Sequence, residues 1–132
     1  MIKRIITIVF VIILTLSINI SCDSNNKEES INTEKQNQNI KVTFVELGSV
    51  RCIPCKKMQP IMDAIEKEYK DQVKVVFHDV WTSEGKPFAS KYKIKLIPTQ
   101  IFLDREGKEY FRHEGFFPKE EILKILKMKG VE

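Results

Sequence analysis

The sequence predicts an α/β domain in which a mixed β-sheet carries helices on both faces. Three observations predict it. Two β-branched runs, Ile40 to Leu47 and Val73 to Val80, bracket an amphipathic segment, and such a β-α-β unit implies parallel strands. Asp104-Arg105-Glu106-Gly107 then turns one extended run back on another, adding antiparallel pairing. Finally, Pro118 to Met128 is a second amphipathic stretch, so helical apolar surface is available for the sheet.

Each element follows from its residues. Ile40-Lys41-Val42-Thr43-Phe44-Val45-Glu46-Leu47 is almost continuously apolar, as a central strand buried on both faces must be, and Gly48 and Ser49 break it. Pro54 begins a helix in which Met58, Ile61, Met62, Ile65 and Tyr69 recur at helical spacing. Pro60 lies inside it and should kink it, because proline removes a backbone donor. Val73 to Val80 is the second strand. Ser83 to Tyr92 reads as a short helix with Ser83 as N-cap. Lys95 to Leu103 reads as extended, and Lys108 to His113 as the strand after the turn, with Gly115 ending it. The last helix offers Ile122, Leu123, Ile125, Leu126 and Met128 as its apolar face, and its lysines Lys119, Lys124, Lys127 and Lys129 suit a solvated face near a helix C-terminus.

Between the first strand and first helix stands Cys52-Ile53-Pro54-Cys55, two thiols that can close into a disulfide and reopen. At a helix N-terminus, unpaired amides and the helix dipole favour a thiolate, the species that attacks disulfides. Half of a structural zinc site is the competing reading. Zinc needs four ligands, and the chain offers no second cysteine pair and only His78 and His113, spaced unlike a finger. Redox chemistry is therefore the expectation, with no metal and no organic cofactor, since two sulfurs carry two electrons.

With 132 residues, 42% hydrophobic and 30% charged, the chain has room for one globular domain. A formal net charge of +4, with no basic cluster interleaved with aromatics, excludes the electrostatic footprint of a nucleic-acid binder. Met1 to Arg4 is a short basic segment, and Ile5 to Ile20 an apolar run shorter than the about 20 residues a membrane span wants. Ser21-Cys22 ends it, which resembles the lipobox of bacterial lipoproteins, although Asn19 and Ile20 depart from its usual residues. That resemblance implies a signal peptide over 1–21 and lipidation of Cys22. The other reading is an uncleaved anchor helix with Cys22 an incidental thiol. Both place the domain on a membrane, facing away from the cytoplasm. Residues 22–39 form a polar tether in which Ile31 is the only apolar side chain after Cys22. Random-coil scaling gives it a reach of about 20 to 25 Å, though a poorly packed polar helix is the alternative. The domain proper is 40–132.

The residues resemble the thioredoxin family, and specifically its small membrane-attached bacterial members, over Ile40 to Val131. Cys52-Ile53-Pro54-Cys55-Lys56 is similar to that family's active-site run. Pro60 matches its helix-kinking proline, Ile97-Pro98-Thr99 its cis-proline segment, Gly107 and Gly115 its late glycines, and Glu46 its buried acid. Two positions depart: Arg51 stands in place of the usual tryptophan and Ile53 in place of glycine. The resemblance implies a thioredoxin fold and a thiol–disulfide oxidoreductase. The short span from Cys55 to Pro98 leaves no room for the helical insertion of DsbA-like oxidases.

Roles follow. Cys52, nearest the helix start and beside the charge of Arg51, is the attacking thiol, and Cys55 resolves the mixed disulfide. Arg51 alternatively is a solvated surface charge. Glu46 shares the period-2 phase of Val42 and Phe44, so it points inward, where a carboxylate of raised pKa can relay a proton to or from Cys55 through water; a strand-end residue leaning into solvent is the other reading. Pro98, if cis, exposes the backbone of Ile97 to an extended substrate and keeps metals off the sulfurs, against the default of a trans turn proline. Arg51, Ile53, Pro54 and Ile97 thus form the expected substrate surface. His78 and His113 are expected at the edge of the core, and Trp81, Phe116 and Phe117 to pack, with Trp81 as a docking surface the weaker option.

The function expected is a membrane-tethered, extracytoplasmic monomer that reduces disulfides in client proteins, with electrons supplied, as the resemblance implies, by a CcdA/DsbD-type membrane donor. The rivals are the same fold acting as oxidase or isomerase, a copper- or zinc-binding module on the same two cysteines, and a redox-inert adaptor.

Overall fold

The computed structural model describes residues 39–132. The expected signal peptide, Cys22 and all but the last residue of the tether lie outside the described residues. Strand β1 (Val42–Gly48) leads into helix α1 (Ile53–Tyr69), then β2 (Val73–Asp79), α2 (Lys86–Lys91), β3 (Thr99–Leu103), β4 (Glu109–Glu114) and α3 (Lys119–Lys127). The sheet order is β2-β1-β3-β4. β1 runs parallel to β2 and antiparallel to β3, and β3 antiparallel to β4. This is the mixed sheet that the β-α-β unit and the late hairpin imply.

The central position of β1 accounts for its apolar sequence, since it is buried on both faces. Val42 and Phe44 face α1 and α3, where they meet Met58, Met62, Ile65, Ile122 and Leu126 in the larger core. Phe44 stacks on Phe102 of β3 at a centroid distance of 4.9 Å. Val45 and Leu47 face the other way, joining Ile101, Val80, Phe88 and Ala89 of α2, and Tyr92 at its C-cap. Helices therefore cover both faces.

Several boundaries differ from the sequence expectation for identifiable reasons. Gly48 belongs to β1 rather than ending it, pairing with Asp79. α1 starts one residue before Pro54 and runs through Pro60 to Tyr69. The second helix does not begin at a Ser83 cap. Ser83 Oγ turns to Glu84 Oε1 at 2.7 Å, while Thr82 Oγ1 accepts the Gly85 amide at 3.0 Å. Helix α2 then starts after Gly85, which lies so close to the Asp79 carbonyl that any Cβ there would overlap it. The extended run expected from Lys95 becomes strand only at Thr99, because Ile97-Pro98 is a cis peptide and the Thr99 hydroxyl bonds back to the Leu96 carbonyl at 2.7 Å. Asp104 to Gly107 forms the expected turn, with Gly107 at φ +77°. Met128 lies past the end of α3 and is 65% exposed, so it leaves the apolar face formed by Ile122 and Leu126.

Candidate active site

The register brings four chain segments to one end of the sheet. Leu47 pairs with Thr99, Gly48 with Asp79, and Thr99 with Glu114. The segment Ser49 to Cys52, the end of β2, the cis-proline loop and the Gly115 turn therefore share that end. Gly115 N–H donates to the Pro98 carbonyl at 2.8 Å, tying two of them together.

Cys52 and Cys55 are joined as a disulfide with Cα atoms 5.2 Å apart. Cys52 is the N-cap of α1, with extended backbone, and its Sγ accepts the Cys55 amide at 3.4 Å. That amide belongs to the first turn of the helix, where N–H groups have no partner within the helix. On reduction it would bond a thiolate at Cys52. Cys52 is 8% exposed and Cys55 4%, so the first cysteine is the more accessible residue. Cys55 packs against β1 where Gly48 has no side chain; a Cβ on Gly48 would stand 3.2 Å from both Cys55 Cβ and Sγ. A cavity of about 200 Å³ lined by Ser49, Val50, Cys55, Lys56, Gln59 and Phe77 opens beside the second cysteine. A larger cleft of about 330 Å³, lined by Lys41, Asp104 and Lys129 among others, lies at the opposite end of the sheet and holds no thiol.

Asp79 anchors the loop that carries the first sulfur, a role the sequence reading missed. Its Oδ2 accepts the Ser49 hydroxyl at 3.2 Å and the Val50 amide at 3.1 Å, and its Oδ1 accepts the Trp81 amide at 3.0 Å. Partial desolvation pulls the Asp79 pKa upward. The Trp81 and Val50 amides, the Ser49 hydroxyl and the Arg51 charge outweigh it and hold the acid below its ordinary value. An aspartate closing a strand, two residues before a tryptophan, was the available signal.

Glu46 is fully buried, as its phase in β1 predicts. Desolvation raises its pKa from 4.5 to about 8, and the Gln100 amide opposes the rise. Gln100 sits opposite Glu46 in the β1–β3 register and is also fully buried. Proximity biases the acid, yet neither residue's side-chain polar atoms reach hydrogen-bond geometry with a partner among the described residues. Sequence reasoning passed over Gln100, although an amide inside Thr99-Gln100-Ile101-Phe102-Leu103 was visible as the one long polar side chain in a buried strand.

Arg51 is exposed, and its guanidinium lies 5.6 Å from the centroid of the Trp81 ring. Trp81 does not pack into the core as expected; it is 53% exposed, and Phe116 is also exposed, while Phe117 is buried. Ile53, at 73% exposure, and Val50 flank the first cysteine, Pro54 is exposed, Ile97 is half-buried and Pro98 buried. The two histidines sit at the core edge as expected: His78 stacks on Phe88 and His113 on Phe117. Burial and then the Lys91 charge lower the His78 pKa. Among the described residues no group of three or more His, Cys, Asp or Glu side chains is placed to hold a metal.

Fold and site together define a thiol–disulfide oxidoreductase of thioredoxin fold. A family model described as a thioredoxin-like domain matches residues 27–129, and the chain belongs to that family. It is 37% identical over 83 residues to thioredoxin 1 of Synechococcus elongatus, covering 63% of this chain and 75% of that one. It is 33% identical over 85 residues to a thioredoxin of Bacillus subtilis, covering 64% and 79%. Among solved structures, thioredoxin NaTrxh from Nicotiana alata superposes with a TM-score of 0.58 at 29% identity, over 81% of this chain and 87% of that one.

Proposed function

We propose that this oxidoreductase is held on a membrane by its N-terminal segment, works outside the cytoplasm, and reduces disulfides in client proteins. The observation that carries the direction of attack is the position of Cys52: N-cap of α1, beside Arg51, and more accessible than its partner. In the reduced protein the Cys52 thiolate attacks one sulfur of a client disulfide, and the other client sulfur leaves as a thiolate and takes up a proton. Cys55 then gives its proton to Glu46 and attacks Cys52 Sγ. The Cys52–Cys55 disulfide forms, the second client thiolate departs, and two electrons have passed to the client.

The exposed Val50, Ile53, Trp81 and Phe116 supply an apolar rim on which the client segment rests, with the Ile97 backbone beside the cis Pro98 as its strand-pairing edge. Lipidation of Cys22 and a polar tether over 22–39 give the anchored domain its reach. Because no glutathione pool serves that compartment, a CcdA/DsbD-type membrane carrier returns the Cys52–Cys55 pair to the dithiol, and the domain acts as a monomer. The reduction potential of the purified domain tests the direction. A value near the about −270 mV of thioredoxin supports a reductant, and one near about −120 mV makes it an oxidant.

A further inference from the structure

Four buried polar atoms have no hydrogen-bond partner among the described residues: both carboxyl oxygens of Glu46, and Oε1 and Nε2 of Gln100. The two residues are directly paired across β1 and β3, and both are fully buried. Directly opposed residues of an antiparallel pair point to one face, with Cβ atoms about 4.5 to 5.5 Å apart. Their side-chain ends are therefore neighbours, and rotation about the terminal torsions brings them together. A buried polar group left unpaired is costly, and an apolar residue of the same volume would avoid that cost.

The chemistry of the two groups matches. A neutral carboxyl and a primary amide pair through two hydrogen bonds, O–H to amide oxygen and N–H to carboxyl oxygen, which accounts for all four atoms. An ionised carboxylate still accepts from the amide N–H. The core on this face is apolar: Phe44, two residues before Glu46 on β1, Met58 of α1 and Ile122 of α3 belong to it, and Phe77, which pairs with Glu46 from β2, packs against it. The other titratable groups on this face include Cys55, which packs on Gly48 two residues along β1, His113, which pairs with Gln100 from β4 and stacks on Phe117, and Tyr69 and Tyr110, which pack on the same core. Lys56, which is exposed, lines the cavity beside Cys55.

We propose that Gln100 is a positioning residue for Glu46, its carboxamide pairing with the acid in both protonation states so that Glu46 can exchange a proton with Cys55 without leaving a buried polar group unmatched. This rests on the reading of Glu46 as the proton relay. During resolution the proton moves from Cys55 Sγ to a Glu46 oxygen, and the new O–H donates to Gln100 Oε1 in place of the lost charge.

The test is infrared titration of the reduced full-length protein with 13C-labelled glutamate, the Glu46 carbonyl band being identified by its loss in Glu46→Gln. In the wild-type protein the protonated acid should absorb at the lowered frequency of a hydrogen-bonded carbonyl, and its midpoint should rise by about one pH unit in Gln100→Met and Gln100→Leu, because the charge-assisted bond to the ionised form outweighs the neutral pairing that they also delete. An unpaired-carbonyl frequency in the wild type overturns the proposal, as does a midpoint that stays put in either folded variant. The titration uses no client, so it stands or falls independently of whether the protein reduces disulfides outside the cytoplasm.

Discussion

Replacing Glu46 should remove a large pH-dependent component of the protein's stability. The folded-state pKa of about 8 lies above the ordinary value of 4.5 because burial disfavours the charge. The folded protein therefore holds this proton more tightly than the unfolded chain. For a carboxyl raised in this way, stability is fully present below about pH 4.5 and is lost progressively as pH climbs through the folded value. At about 1.4 kcal/mol for each tenfold change, the span from 4.5 to about 8 corresponds to roughly 4 to 5 kcal/mol. Glu46 is fully buried, so solvent does not screen this penalty. Against a typical domain stability of about 5 to 15 kcal/mol the loss is large. Urea denaturation of the oxidised wild type and of Glu46→Gln and Glu46→Leu, followed at intervals from pH 4 to 9, measures it. Groups that titrate alike in all three proteins cancel in the difference. The variants should gain roughly 4 to 5 kcal/mol on the wild type between the two ends of that range. Parallel stability curves would refute the burial of an acid with a displaced pKa.

Three further outcomes follow from the geometry. Gly48→Ala puts a methyl 3.2 Å from Cys55 Sγ and 3.4 Å from Phe77 Cε2, so it should cost about 1 to 3 kcal/mol in urea denaturation of the oxidised protein; no loss would mean that α1 can draw back from β1. Asp79→Ala should speed hydrogen exchange at the Val50 and Trp81 amides. Because the folded Asp79 pKa is depressed, wild-type protection at those amides should persist above the ordinary value of 3.8 and fade as pH drops through the folded value. Trp81→Ala removes an exposed aromatic stacked with Arg51, and should lower kcat/KM several-fold toward a protein disulfide while leaving reduction of a small aromatic disulfide unchanged. Equal losses on both substrates would place Trp81 in support of the loop instead of on the client.

What was legible in the chain was whatever local chemistry decides. The apolar run through Val42, Phe44, Val45 and Leu47 reads as a doubly buried strand because both faces must be dry, and the structure buries all four. Cys52 and Cys55 read as a redox pair because the spacing and the helix behind them are written in adjacent residues. Glu46 was legible too, since period-2 phase alone turns it inward. The start of α2 was not: Ser83 has the chemistry of a cap, but the close approach of Gly85 to the Asp79 carbonyl, a contact between distant segments, shifts the helix to Lys86. Trp81 and Phe116 look like core by composition, yet the core is already filled by Phe102, Phe117 and Ile122. The facing of Gln100 and Glu46 depends on the register between β1 and β3, which no window of neighbouring residues contains.

The central claim is that Cys52 attacks client disulfides and Cys55 releases them. Full-length Cys55→Ser protein, expressed with its own N-terminal segment and collected by alkylating lysis, tests it most directly. Membrane-associated, reductant-sensitive adducts are expected in which Cys52 is linked to a cysteine of an extracytoplasmic protein, absent when Cys52 is also replaced. Adducts that form equally without Cys52, or none while the folded variant sits on the membrane, would contradict it.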